Sequence, residues 1–120
     1  MKTNIRKFVI QKHSKAGQVH WDLMLEAAQV LETYRLALPP EKLFKQITTA
    51  VRISDHSLKF LTYQGTVNKG TGTVEIAETG TYQLLSQNAG SRQLQLDGKI
   101  LKGKFTLTRI DAENWQFGRP

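Results

Sequence analysis

Phe8-Val9-Ile10-Gln11-Lys12-His13, then Ser14-Lys15-Ala16-Gly17-Gln18, then Val19-His20-Trp21-Asp22-Leu23-Met24-Leu25: the reading of this stretch decides the fold. β-Branched and aromatic side chains crowd the first six residues and favour extended backbone, because they pack well on a pleated surface and lose rotamer freedom in a helix. The polar, glycine-bearing linker reads as a turn, so the second run returns as a partner strand. Side chains alternate faces along a strand. His20, Asp22, Met24 and Glu26 therefore share one face, while Trp21, Leu23 and Leu25 share the other and are expected to pack a core.

Outward from there the pattern stays extended. Residues 27–35 fit either a helical stripe through Val30, Leu31 and Tyr34 or a third strand. Pro39 and Pro40 break whichever element forms, and a short helical turn through Glu41, Leu43 and Phe44 can follow. Residues 48–53 read as a strand ending at Ser54-Asp55-His56-Ser57, after which residues 58–63 continue it or turn away. Thr71 to Ile76 reads as a strand with its turn at Glu78-Thr79-Gly80, then Thr81 to Leu85 as another, with a flexible loop over residues 86–91. Asp97-Gly98 is the strongest hairpin signal in the chain, flanked by Arg92 to Leu96 and Lys99 to Leu101. Lys104 to Ile110 and a last strand around Trp115-Gln116-Phe117 complete the series. Many short strands at this spacing predict a mostly β fold, a small closed or strongly curled antiparallel β-barrel with one or two short helical segments.

The 120 residues fit a single domain over 1–120, since two cores would leave each half too small to offset its conformational entropy. No run of about 18 apolar residues crosses a membrane. The start, Met1-Lys2-Thr3-Asn4-Ile5-Arg6, lacks the apolar region of a signal peptide, so the expected location is cytoplasmic. The absence of cysteine excludes disulfides, thiolate catalysis and cysteine-based zinc sites. A net charge of +7 favours an anionic partner, nucleic acid or another phosphate-bearing ligand, although no block of consecutive basic residues forms a nucleic-acid arm. Neither a P-loop nor a dinucleotide fingerprint occurs.

Three histidines and Asp22 are the candidates for chemistry. Two neutral imidazoles, His13 and His20, with the Asp22 carboxylate make a plausible open site for Mn²⁺ or Zn²⁺, with positions left for water and a phosphate oxygen. A nearby histidine, His56, could stabilise the anion or carry a proton. The bland reading of His20-Trp21-Asp22 is a surface hydrogen bond.

Arg6-Lys7-Phe8-Val9-Ile10-Gln11-Lys12-His13 followed by His20-Trp21-Asp22-Leu23-Met24-Leu25-Glu26 closely resembles the opening motif of the 3'-phosphoesterase domain of bacterial multifunctional DNA repair ligases. Ala37-Leu38-Pro39, Ala50-Val51-Arg52-Ile53-Ser54-Asp55-His56, Gly72-Thr73-Val74 and Leu101-Lys102-Gly103-Lys104-Phe105 continue the resemblance in order over residues 6–118. It implies a β-barrel with a crescent-shaped groove and a manganese-dependent activity that removes a 3'-terminal ribonucleoside and then the 3'-phosphate from a DNA strand. His13, His20 and Asp22 fall on the family's metal ligands, and His56 falls on its phosphate-contacting histidine. Gln11 and Glu26 are expected to orient that cluster, and Arg52 and Lys12 to bring charge to the substrate. Implied partners are DNA 3' ends and separate ligase or polymerase chains; the expected state is a monomer without membrane contact.

The chain also departs from the family pattern. Met24 stands where the family has an arginine two residues after the metal-binding aspartate, Thr48 stands at a second arginine position, and Phe60 replaces a tyrosine. The segment between His13 and His20 is one residue longer than usual, and seven residues precede Phe8 where the family carries a longer arm. Methionine donates no charge-assisted hydrogen bond to phosphate. The alternative function is therefore a non-catalytic nucleic-acid or phosphate-binding module that keeps its metal site, with Trp21, Tyr63, Trp115 and Phe117 as stacking surfaces or as core. A third possibility is a small interaction protein whose charge serves solubility.

Overall fold

A hairpin turn of two residues, Ala16-Gly17, starts the sheet. Both residues have positive φ, 51° and 78°, the geometry that matches the twist of paired strands. The computed structural model describes residues 4–120; Met1 to Thr3, the first part of the stretch read for a leader, lie outside the described residues. Among the described residues the strands are β1 (Arg6–Lys15), β2 (Gln18–Ala27), β3 (Val30–Leu36), β4 (Thr48–Ser57), β5 (Gly65–Val67), β6 (Gly72–Asn88), β7 (Ser91–Gly98), β8 (Lys102–Asp111) and β9 (Asn114–Gly118). All pair antiparallel in the order β1-β2-β3-β4-β9-β8-β7-β6-β5, and β1 also pairs β6, so the sheet curls into a ring. Helical structure is confined to short 3-10 turns such as Pro40–Lys42 and Leu58–Leu61. The mostly β, curled antiparallel architecture read from the sequence is the observed one.

The ring has a filled interior. Phe8, Ile10, Leu23, Leu25, Leu36, Leu94, Leu96, Phe105, Leu107 and Phe117 form one buried cluster, with Trp21 and Trp115 packed against it. These tryptophans and Phe117 are thus core side chains rather than stacking platforms. The alternation on β2 places Leu23 and Leu25 inside, and puts Met24 on the outer face in a second buried cluster with Val9 and Leu31. Leu58, Phe60, Leu61 and Ile76 cover that second cluster. Residues 58–63 therefore turn away from β4 and lie across the outside of the sheet.

Several local readings are corrected. Of the two readings for residues 27–35 the strand is the observed one: Ala28, with a positive φ of 55°, and Gln29 form a two-residue turn that brings β3 back along β2. The expected turn at Glu78-Thr79-Gly80 does not exist: β6 runs unbroken for 17 residues, pairing β1 with its first part and β7 with its second. The expected loop over 86–91 is likewise strand through Asn88 with a tight turn at Ala89-Gly90. Asp97-Gly98 ends β7 instead of turning it, and Asp97 pairs with Lys102 around a turn at residues 99–101. Gly80 and Gly98 face each other across β6 and β7. A Cβ on Gly80 would strike the Asp97 carbonyl, and one on Gly98 would strike the Glu78 carboxylate. These glycines permit close approach inside a sheet, which is the other physical reason for glycine in a strand.

Candidate metal centre and phosphate groove

Hairpin arithmetic assembles the site. With the turn at Ala16-Gly17, His13 pairs directly with His20 and Gln11 with Asp22; with the next turn at Ala28-Gln29, Asp22 pairs with Arg35 and Met24 with Thr33. Gln11, His13, Asp22, Met24 and Arg35 line one groove on the outer face of the sheet, and His20 stands beside His13 and Asp22.

The fourth element needs an irregularity. Thr33 pairs with Ile53, yet Leu31 pairs with His56, so β4 carries one extra residue between them. Strict alternation would send Ile53 and His56 to opposite faces. The bulge turns both to the groove, a common use of such irregularities beside functional sites. The groove, about 370 Å³, is lined from β1 by Gln11 and His13, from β2 by Asp22 and Met24, from β3 by Arg35, and from β4 by Ile53, Ser54 and His56. Phe60 of the covering segment, with Val67 of β5 and the neighbouring Asn68, completes the lining. The covering segment is tied down by Gln11, whose Nε2 donates to the carbonyls of Phe60 at 2.9 Å and Tyr63 at 2.8 Å.

His13 Nδ1 lies 2.9 Å from His20 Nε2, and His20 Nε2 lies 3.4 Å from Asp22 Oδ1. One ligand atom from each of the three residues falls within 4.8 Å of the others. Two donors each about 2.0–2.2 Å from a single ion sit roughly 3–3.5 Å apart, so these separations fit a divalent metal. Polar satisfaction points the same way. Asp22 Oδ1 is buried without a hydrogen-bond partner among the described residues, where buried polar atoms ordinarily have one. An N,N,O donor set of this type suits manganese, zinc and other borderline divalent ions.

Electrostatics keep the imidazoles ready as ligands. Burial holds His20 down at about 4, with Arg35 adding to the effect. Burial also lowers His13, followed by the neighbouring His20. The Asp22 carboxyl is pushed up by burial, against the pull of Arg35, whose Nε lies 3.8 Å from Oδ1. For the metal-free protein the histidine shifts give a definite sign. The unfolded chain takes up protons near pH 6.5 while folded His20 resists them down to about 4, so stability falls as pH drops through that window. The raised Asp22 works in the opposite direction, regaining stability as the folded carboxyl protonates. A His20→Asn variant measured in chelator should show a flatter melting temperature between pH 7 and pH 5 than the parent; an unchanged slope would contradict the assignment.

His56 is oriented by its other nitrogen. Thr33 Oγ1 donates to the Leu31 carbonyl at 3.0 Å, so it accepts from His56 Nδ1, also at 3.0 Å, and the Ser54 carbonyl lies 3.1 Å from the same nitrogen. Two acceptors fix the ring proton on Nδ1 and leave Nε2 uncommitted. Phe60 stands edge-on to this ring with centroids 5.6 Å apart.

The remaining expected site residues lie elsewhere. Arg52 sits 5.4 Å over the Tyr34 ring, and its guanidinium donates to the Thr33 carbonyl and to Asp55, away from the groove lining. Lys12 points to the face opposite Gln11 and His13 and pairs with Glu75 at 3.8 Å. Glu26 accepts from the Lys7 backbone N–H at 2.8 Å, two residues beyond Met24 along β2, and is not in the groove. Thr48 is buried, its hydroxyl accepting from Ala37 N–H and donating to the Thr49 carbonyl. Tyr63 is spent on the Thr66 carbonyl. Arg35 was missed by the sequence reading. Its signal was the Ala28-Gln29 turn, from which its pairing with Asp22 follows by counting.

Gly72 of β6 leaves room for the His13 ring: a Cβ there would stand 3.0 Å from His13 Nε2 and 3.3 Å from the Ser14 carbonyl. Gly72→Ala should weaken divalent-metal binding several-fold through displacement of this ring, with a melting-temperature loss of no more than about 5 °C. Isothermal titration with Mn²⁺ checks this, and unaltered affinity would remove Gly72 from the account.

The family model described as the DNA ligase D 3'-phosphoesterase domain matches residues 11–109. The chain is 27% identical to the multifunctional non-homologous end joining protein LigD of Mycolicibacterium smegmatis, over 93% of this chain and 16% of that protein. To the protein of the same name from Pseudomonas aeruginosa it is 26% identical, over 95% of this chain and 14% of that protein. It thus spans only 14–16% of the length of these relatives. The chain belongs to the DNA ligase D 3'-phosphoesterase domain family.

Proposed function

We propose that the protein is a divalent-metal-dependent phosphoesterase acting on the 3' ends of DNA, removing a 3'-phosphate or a 3'-terminal ribonucleoside. The observation that carries this reading is the convergence of His13, His20 and Asp22 beside a groove that His13, Asp22 and, from β4, His56 line. Those three residues would hold the metal, with manganese the first candidate and zinc the second. Bound there, such an ion polarises a phosphoryl oxygen and lowers the pKa of a coordinated water.

The chain's own residues supply the rest. Gln11 fixes the covering segment and so shapes the groove around one nucleotide end rather than a flat surface. His56, anchored through Nδ1, keeps Nε2 for the phosphate, donating a charge-assisted hydrogen bond when protonated. Hydrolysis of a 3'-phosphate joins water to phosphorus as the bond to the sugar oxygen breaks; that oxygen takes a proton and inorganic phosphate leaves. The positive net charge favours approach of DNA at low salt. Among the described residues no helix is long and apolar enough to cross a membrane. A cytoplasmic location, a monomeric state and cooperation with separate ligase or polymerase chains belong to the same proposal.

A second reading, a phosphate-binding module without turnover, is favoured by Met24 and Thr48. Both are buried, and neither offers a cation to the groove. End-labelled primer-template DNA carrying a 3'-phosphate or one 3'-ribonucleotide, incubated with and without Mn²⁺, separates the two. Metal-dependent shortening or dephosphorylation supports the enzyme; metal-dependent binding without product supports the module and rejects the enzyme.

A further inference from the structure

We infer that Arg35 is the residue that recognises the phosphate in this groove, so that it selects ends bearing a terminal phosphate over ends bearing a hydroxyl. The inference rests on the phosphate-groove reading above, and extends it by assigning the cation. Of the residues lining the groove, Arg35 alone carries a fixed positive charge. Its position follows from the β2–β3 register, directly across from Asp22.

The other guanidiniums near this part of the sheet are committed. Arg52 donates to the Thr33 carbonyl and to Asp55 at 2.8 Å, and stacks on Tyr34. Arg92 pairs with Glu32 at 2.9 Å and donates to the Tyr34 hydroxyl and to Gln87. Arg35 makes no hydrogen bond among the described residues. Its one charged neighbour is Asp22, at 3.8 Å, which is too long for a hydrogen bond, and its side chain is 47% exposed. The guanidinium thus borders the groove with its Nε toward Asp22, and its planar fork is of the kind that matches two phosphate oxygens.

Placement beside Asp22 has a chemical logic. A phosphate oxygen that reaches the His13, His20 and Asp22 cluster would leave its remaining oxygens next to the guanidinium, and His56 would approach from β4 on the other wall. Arg35 thus grips the non-bridging oxygens, where charge accumulates on the way to the transition state. Met24, across the groove floor from Thr33, is buried among Val9 and Leu31 and adds shape without charge. Beside His56 and the ion, the one fixed side-chain positive charge for the phosphate therefore comes from β3.

The test compares binding of a short single-stranded oligonucleotide ended in a 3'-phosphate with the same oligonucleotide ended in a 3'-hydroxyl, in Mn²⁺, for the parent, Arg35→Gln and Arg35→Lys. The parent should prefer the phosphate end by about 10-fold or more, Arg35→Gln should lose that preference, and Arg35→Lys should keep part of it, because lysine retains the charge and loses the fork. Binding is compared at Mn²⁺ concentrations that saturate each protein, because Arg35 stands 3.8 Å from Asp22 and its charge acts on the ligand cluster; the melting temperature of Arg35→Gln should stay close to that of the parent. Equal preference in Arg35→Gln and parent, or no preference in the parent, overturns the inference. An Arg35-dependent preference in a protein that releases no phosphate would leave this assignment standing while rejecting the enzyme.

Discussion

Asp22→Asn is expected to lower metal-dependent release of phosphate from a 3'-phosphate end by about 100-fold or more. Loss of a residue that merely orients a ligand costs roughly 10- to 100-fold, and Asp22 is placed as a ligand itself. Asparagine keeps the shape and one oxygen but removes the anion, so the contribution of charge is separated from that of packing. The fold should survive. Burial pushes the Asp22 carboxyl up, so its ionised form is less stable in the metal-free folded protein than in the unfolded chain. Neutral asparagine relieves that cost, and the variant in chelator at pH 7 should melt no lower than the parent. Added Mn²⁺ should raise the melting temperature of the parent and much less that of the variant. Initial rates on labelled 3'-phosphate DNA together with melting curves check both halves. Activity within a few-fold of the parent would mean that the three residues do not hold a catalytic ion.

The sequence reading reached the centre of the site and lost precision with distance from it. The face shared by His20 and Asp22 is legible because β2 is regular, with Leu23 and Leu25 alternating into the core. His56 is a different case: its motif is recognisable in the sequence, but the bulge that turns it to the groove is invisible to a period of two. Arg52 was expected near substrate because it stands close to His56 along the chain. Its parity pairs it with Tyr34, and a cation–π contact with the Asp55 salt bridge holds it there. Arg35 went unnoticed for the converse reason, lying far from Asp22 in sequence and opposite it in space. The turn signals failed where glycine serves a sheet. Glu78-Thr79-Gly80 and Asp97-Gly98 have the composition of turns, yet Gly80 and Gly98 are glycine because the two strands approach too closely for a Cβ. The acidic residue beside them is what fixes the true turn.

That residue supports the second large effect. Glu78 is buried at 2% exposure, facing inward opposite Ile10 where β6 carries one extra residue against β1. Its Oε1 accepts from the backbone N–H of Thr79 at 2.9 Å and Lys99 at 3.0 Å, and its Oε2 from those of Ile100 at 2.7 Å and Leu101 at 2.6 Å. One carboxylate thus satisfies the donors of the turn joining β7 to β8 and fastens that turn to β6. Glu78→Ala removes the acceptor from three turn amides and one strand amide; with each buried unpaired donor costing about 1–3 kcal/mol and water relieving part of it, the loss should be about 3–5 kcal/mol. For a domain of this length that corresponds to a fall in melting temperature on the order of 10–20 °C. Glu78→Gln keeps one oxygen and turns an amide N–H₂ toward other N–H groups, so it should recover only a small part of the loss. Neither variant touches the groove, and at temperatures where each remains folded its metal-dependent 3'-end processing should stay within a few-fold of the parent. Thermal unfolding at fixed pH, paired with rates at 15 °C, tests the separation. A melting temperature within 3 °C of the parent would show that the turn at residues 99–101 holds without its buried carboxylate, and a selective loss of rate in a folded variant would tie this end of the ring to the site.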